Sequence, residues 1–532
     1  MPKALVLLGA WLVVGCGGAA TPAPATPPAA PAPARPAPST GTPAPAEAAS
    51  LPEAPKALPP APASCTAFSQ RATPACAADG DAGLDALDAA LGSADPAERD
   101  TKLAALEKCS AYPAGLVRAL RAELAPAACG DALVEPVLAA RAQRLDVRVE
   151  DALIGIGLGA RLSRLVHEPP RLEPPFRKER FRDFFKSKLA PWIAGQARAI
   201  HDIAAGGAKL HGYGEGVVAV EAGMADMRFV EVVRKVPLPD ELAKDKAFAD
   251  VYYGSLDQAL EPRKDRGRDA ALVGLKQLAA VGVLRDARVR EARAMLSRLY
   301  GGRRIDALDG LMLPPLPPFK AHTRSERLAA GLPTFYADFV LAKADPTDPA
   351  LLRALLERGV PPSAQKRVDG AKADAPARQL YARFLVELGQ TYWRSKDFAR
   401  AASIAASATS AADNEPRLIA ALAQALEDGP RDAAQIMLKG PFLPGGVGDI
   451  AALDRLSHSK SPLAGMAAFD AAYILQLVAP AKADAGYWKD LAKRYAAAAR
   501  QLKGKPRARA LDRAKAAKTT VKAIRKQRRR FR

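Results

Sequence analysis

Few side chains in this sequence are spaced to do chemistry together. Ser363 and Lys366, and again Ser457 and Lys460, are Ser-x-x-Lys pairs, a spacing that puts a hydroxyl nucleophile and an amine base on one helical turn. Neither pair has the companion Ser-Asp-Asn and Lys-Thr-Gly elements that such a nucleophile needs. His201 and His211 stand among Gly206, Gly207, Gly212, Gly214 and Gly216. That glycine run lacks the strand-GxGxxG-helix order, the Walker lysine and the HExxH spacing of known phosphate and metal sites, and reads as a turn between helices. Gly155, Gly157 and Gly159, inside an apolar run, read as close helix packing. No catalytic residue, metal ligand or cofactor is expected from these patterns.

The cysteines say more. Cys65, Cys76, Cys109 and Cys129 form an even set without a CxxC pair or an interleaved His, which points to disulfides rather than zinc. Three pairings are possible. Closure of short loops favours Cys65–Cys76 with Cys109–Cys129, and Cys76–Cys109 is the alternative that would staple an antiparallel helix pair.

Basic residues are concentrated at the end of the chain. In residues 503–532, 14 Lys and Arg face one acid, Asp512, so this segment holds most of the net charge of +21. Lys522, Arg525, Lys526, Arg528, Arg529 and Arg530 are the densest part. If helical, the segment lines up Leu511, Ala514, Ala517, Val521, Ile524 and Phe531 on one face and cations on the others. A basic amphipathic helix of this kind suits an anionic lipid or polymer surface. Its removal is expected to leave the stability of the body nearly unchanged.

The N-terminus has the layout of an export signal: Lys3, then an apolar run from residue 4 to 14, too short to span a bilayer. It ends in Leu12-Val13-Val14-Gly15-Cys16, which resembles the lipobox of bacterial lipoproteins. The resemblance implies acylation of Cys16 after cleavage at residue 15, with Val13 and Gly15 in the aliphatic and small positions. It also implies a cell-envelope location with the body periplasmic or surface-exposed. The absence of Asp after Cys16 favours the outer over the inner membrane. Residues 21–63 follow, with 15 Pro among 43 residues. Proline lacks an amide donor and fixes φ, so this reads as a disordered, extended tether.

The body that must position everything else reads as all-α, an irregular array of helical hairpins. Apolar residues recur at helical spacing in residues 269–284 and 287–300, with Asp286 as the N-cap between them. Leu388-Gly389-x-x-Tyr392 followed by Phe398 and Ala401 resembles a tetratricopeptide repeat, which implies a helical hairpin plugged by Phe398. A second unit over residues 422–437 fits with a shortened turn at Gly429-Pro430. Trp488, Leu491, Tyr495 and Leu502 mark a later packing layer. The expected organisation is a signal peptide (1–15), an anchored linker (16–63), a Cys-containing helical unit (64–168), a middle helical unit (169–318), a repeat unit (319–502) and a basic tail (503–532). The functional expectation is a non-enzymatic envelope scaffold or binding protein, held by the Cys16 lipid, with an envelope protein as partner. Export makes nucleic acid a poor partner. The rival expectation is an envelope enzyme acting on peptidoglycan or another polymer.

Overall fold

The computed structural model describes residues 50–76, 80–140, 145–301, 304–342, 348–369, 374–408, 414–427, 437 and 450–530. Cys16, the signal-like segment and most of the tether lie outside these residues. Within them the protein is all-α, with no β-structure beyond an isolated bridge between Val283 and Gly359.

Several helices start where the sequence supplies an aspartate cap. Asp95, Asp146, Asp245, Asp286, Asp348, Asp374 and Asp484 each accept a hydrogen bond from a first-turn backbone amide of the helix that follows. Each such cap satisfies a donor that would otherwise be unpaired, and contributes about 1 kcal/mol.

The N-terminal half is built from α1 (Gly80–Leu91), α2 (Pro96–Ala104), α3 (Leu116–Leu124), α4 (Gly130–Ala140), α5 (Val147–Arg164), α6 (Ala190–Gly206), α7 (Gly212–Arg234), α8 (Lys246–Ala280) and α9 (Ala287–Tyr300). The long helix α7 sits between α5 and α8. Small residues set how closely they approach. A Cβ at Gly155 of α5 would lie 2.5 Å from the Cα of Gly214 on α7, and one at Gly223 of α7 would lie 2.5 Å from the backbone of Ala271 on α8. Gly155 and its neighbours are therefore packing glycines, as their apolar setting implied. Gly212, Gly214 and Gly216 are not part of a turn as expected; they begin α7, where Gly212 takes a positive φ of 57° and the missing side chains of Gly214 and Gly216 let the helix cross α5 and α8. The hairpin expected between residues 269–284 and 287–300 is also corrected. Residue 269 belongs to the 35-residue helix α8, which packs chiefly along α7 rather than on α9.

The C-terminal half continues with α10 (Arg324–Gly331), α11 (Thr334–Val340), α12 (Pro349–Leu356), α13 (Ala375–Tyr392), α14 (Ser395–Ala408), α15 (Asn414–Glu427), α16 (Ala464–Leu477), α17 (Ala485–Gln501) and α18 (Gly504–Arg530). α13, α14 and α15 pack in sequence as antiparallel pairs. Phe398 of α14 lies against Gly389 of α13, where a Cβ would come within 2.8 Å of its ring, and Ala401 and Ala405 are fully buried beneath it. The turn at Gly429-Pro430 lies outside the described residues. Leu491 and Tyr495 of α17 are buried between α16 and α18.

One buried core runs from Leu87 to Ala517, and a second lies among α5, α6, α7 and α8. The proline cluster at 314–318 breaks the run of helices, while the chain just before it is packed: Leu311 and Met312 are buried, and the Met312 amide donates to Asp470 Oδ1 at 2.7 Å.

Residues 50–62 correct the expected extent of the tether. They form a strap lying on α5 and α6, largely without regular structure but with a turn in which the Leu58 amide donates to Pro55 O at 2.9 Å, and Leu51, Ala57 and Leu58 pack on the second core. Proline removes donors from a chain but leaves its carbonyls free to accept, and α5 and α6 supply the donors. Arg161 donates to Pro52 O, Arg164 Nε to Pro59 O at 3.1 Å, and Gln196 Nε2 to Ala57 O at 3.1 Å.

Candidate functional site

The residue pairs with the spacing of a nucleophile and base are not assembled for that task. The Ser457 hydroxyl donates to Asp454 O at 2.7 Å, a helix-internal bond, while Lys460 is exposed. Ser363 follows a proline at the start of a short helix, where its amide donates to Asp338 Oδ1 at 3.0 Å. His201 and His211 are both exposed, and the His211 amide donates to Asp151 Oδ2 at 3.1 Å. Among the described residues no group of three His, Cys, Asp or Glu is placed to hold a metal ion. Two shallow concavities among the described residues open to solvent, each with about 10 Å³ of usable space, the room of a single water. The first contains Asp100, which Arg71 and Arg121 both pair at 2.7 Å. The second is lined by apolar and aromatic side chains, Phe181, Leu189 and Tyr252 among them.

The cysteines pair as Cys65–Cys129 and Cys76–Cys109. The preferred short-loop pairing, Cys65–Cys76 with Cys109–Cys129, is overturned, and the alternative Cys76–Cys109 is present. The physical reason is that Cys65 lies at the end of the strap, which is laid across the body to the start of α4. Pairing there follows tertiary position rather than sequence distance. Disulfides persist in oxidising compartments, so the described body belongs outside the reducing cytoplasm.

A polar cluster that sequence reading did not single out ties three helices together. Arg288 of α9 pairs with Glu123 of α3 at 2.7 Å, lies 3.7 Å from Glu221 of α7, and donates to the Tyr213 hydroxyl at 3.3 Å. Burial pushes the Glu123 carboxyl up, and pushes that of Glu221 up to about 7, against the pull of Arg288. Tyr213 stacks on Phe335 of α11 with ring centroids 4.7 Å apart, which closes the cluster from solvent. The cluster is a buried clamp without an opening for substrate.

The basic segment is a 27-residue helix, α18, about 40 Å long at 1.5 Å per residue. Its first two-thirds belong to the body. Ala510, Ala514, Ala517 and Val521 form a buried stripe against the α16–α17 layer, whereas Leu511, expected on that face, is 48% exposed. Arg509 donates to Gly310 O, its guanidinium lies 5.3 Å from the Phe469 ring, and that of Arg513 lies 5.1 Å from the Tyr473 ring. Removing residues 503–532 would uncover these rings, so the expected indifference of the body to that deletion is withdrawn. α17 has 17 residues and runs back along α18 after a short turn, so α18 outlasts it by several turns. On that outer end Lys522, Arg525, Lys526, Arg528 and Arg529 are all exposed, and Ile524 alone is half-buried. The Arg530 side chain and residues 531–532 lie outside the described residues.

This cationic end can hold anions by solvent-exposed point charges. Each cation near an anionic surface contributes about 1 kcal/mol, fading over a Debye length of about 8 Å at physiological salt. Replacing Lys522, Arg525, Lys526, Arg528 and Arg529 together by Gln is expected to abolish binding of non-acylated protein to anionic vesicles. The intact protein is expected to bind strongly at low salt and to release toward about 0.5 M salt. Cosedimentation checks this; equal binding to neutral vesicles, or salt-insensitive binding, contradicts it. The five positions lie beyond or at the margin of the packed stripe, so the melting temperature should be unchanged.

No protein-family model matches the chain, and no curated protein or solved structure does. Function therefore rests on the residues themselves.

Proposed function

We propose that this chain is a cell-envelope lipoprotein, held in the membrane by a lipid on Cys16, whose helical body binds or scaffolds other envelope components without catalysing a reaction. The observation that carries the reading is the pair of disulfides, Cys65–Cys129 and Cys76–Cys109, which an exported chain forms and a cytosolic one rarely keeps. It agrees with the signal-like N-terminus and the lipobox-like Leu12–Cys16 sequence. No helix among the described residues is long and apolar enough to cross a membrane, so an anchor elsewhere is consistent with the rest of the chain. The tetratricopeptide-like residues in α13 and α14 add a fold suited to binding partners on stacked helix faces. The outer end of α18 supplies a second contact, to anionic lipid or polymer, and the outer membrane is the favoured location.

Cys16→Ser tests the anchor. The substituted protein is expected to leave the membrane fraction and to lose incorporated acyl label. Retention in membranes as an integral component, with label, contradicts the reading.

A further inference from the structure

Residues 50–62 are held on the body by a set of contacts that resembles a ligand in a binding site more than a chain segment in a core. The polar contacts from α5 and α6 go to strap carbonyls: Arg161 to Pro52, Gln196 to Ala57 and Arg164 to Pro59. None of them depends on a backbone amide of the strap, so the arrangement favours a proline-rich chain, whose amides are few. The donors are fixed in advance by other partners. Arg164 is gripped by both oxygens of Asp131 at 2.7 and 2.6 Å, and Arg161 pairs with Glu135 at 2.6 Å. Gln196 is turned by the Val166 amide, which donates to its Oε1 at 2.9 Å, so its Nε2 faces the strap.

The floor beneath the strap is made of glycines that leave room for it. A Cβ at Gly157 would lie 2.8 Å from Leu51, one at Gly206 would lie 2.9 Å from Pro52, and one at Gly195 would lie 3.3 Å from Ala57. Leu51 and Leu58 are the apolar anchors, packed on the same core as Trp192 and Ile193. The tether between Cys16 and Ser50 has the same Pro/Ala composition but contains no leucine, so this stretch alone carries both anchors.

We propose that α5 and α6 form a recognition groove for a proline-rich peptide that turns between two spaced leucine anchors, and that residues 50–62 of this chain are its resident ligand, bound in cis. The segment joins the body covalently only at Cys65, where the disulfide to Cys129 stops any peeling. Release up to that point would lengthen the tether by 15 residues, about 45 Å at roughly 3.1 Å per residue. That consequence depends on the lipid anchor; the recognition itself does not.

The test cuts the ligand from its receptor. A protease recognition sequence is inserted between Pro62 and Ala63, both exposed, in the full disulfide-bonded chain. After cleavage at micromolar concentration, the N-terminal fragment is expected to co-elute with the body in size exclusion. Excess synthetic peptide of the sequence of residues 50–62 should displace it, and a scrambled peptide should not. Gly195→Leu, whose Cβ would lie 3.3 Å from Ala57 with no other atom within 4 Å, should weaken retention at least tenfold, while the melting temperature of the body stripped of the fragment stays unchanged. Free elution of the fragment from a folded body overturns the proposal, as does equal displacement by the scrambled peptide. Failure of Cys16→Ser to release the protein from membranes would leave these outcomes untouched, which separates this inference from the anchoring reading.

Discussion

Arg288→Met is expected to destabilise the body by roughly 3 kcal/mol at pH 7, at the lower end of the range for breaking a buried ion pair. The side chains of Glu123 and Glu221 are 7% and 6% exposed, so loss of the guanidinium leaves Glu123 without its counter-ion and Glu221 with Arg228 alone. What limits the loss is protonation. Burial already raises both groups, Glu221 to about 7, and without Arg288 they rise further. The sign of the pH dependence follows. In the unfolded chain both acids ionise near their ordinary values. A raised folded pKa therefore adds a penalty that is absent below the unfolded value and grows as pH rises toward the folded one. The substitution should therefore cost less at pH 5 than at pH 8. Urea unfolding at the two pH values checks this, and a cost that falls with rising pH contradicts it. Adding Glu123→Leu to Arg288→Met should recover part of the loss, because replacing both members of a buried pair is better tolerated than stranding one.

Replacing Cys65 and Cys129 together by Ser is expected to cost about 4 kcal/mol, the chain-entropy value for closing a loop of that order of length. Cys76–Cys109, of separation 33, lies inside the 64-residue loop and short-circuits it, so the two pairs should cost about the same when removed singly. Thermal melts of the two double variants should both fall, by similar amounts. In protein isolated from the envelope without reductant, all four thiols should be unreactive to alkylation. Four free thiols would contradict both the pairing and the compartment.

Local features of the fold were legible in the sequence, and those set by long-range packing were not. Asp286 caps α9, accepting from the Arg288 amide at 2.7 Å, and the helix runs over Ala287–Tyr300 to Gly301 as periodicity and capping indicated. Phe398 sits against Gly389 because residues nine apart across a short turn can be placed from one hairpin alone. By contrast, the partner of α8 depends on glycines of α7 some fifty residues earlier, and no local pattern specifies that match. The cysteine pairing failed for the same reason. The strap was hidden by its composition: proline excludes helix and sheet interior but does not prevent docking when another element donates to the carbonyls. A usable signal was present in Arg161 and Arg164, one helical turn apart beside a stripe of glycines, where a guanidinium needs a partner that a nearby proline-rich chain can supply. Of the candidate site, the cations of residues 522–529 were readable from charge alone. The burial of Ala510, Ala514 and Ala517 required knowing that the α16–α17 layer lies beneath them.

The proposed export and lipid anchoring of this chain are tested most directly by the mass of its mature N-terminal peptide. The peptide isolated from the envelope is predicted to begin at Cys16 and to carry the mass of a thioether-linked diacylglyceryl group with its fatty acids. A peptide that retains Met1 with an unmodified Cys16, or one cleaved elsewhere without acylation, would contradict the account.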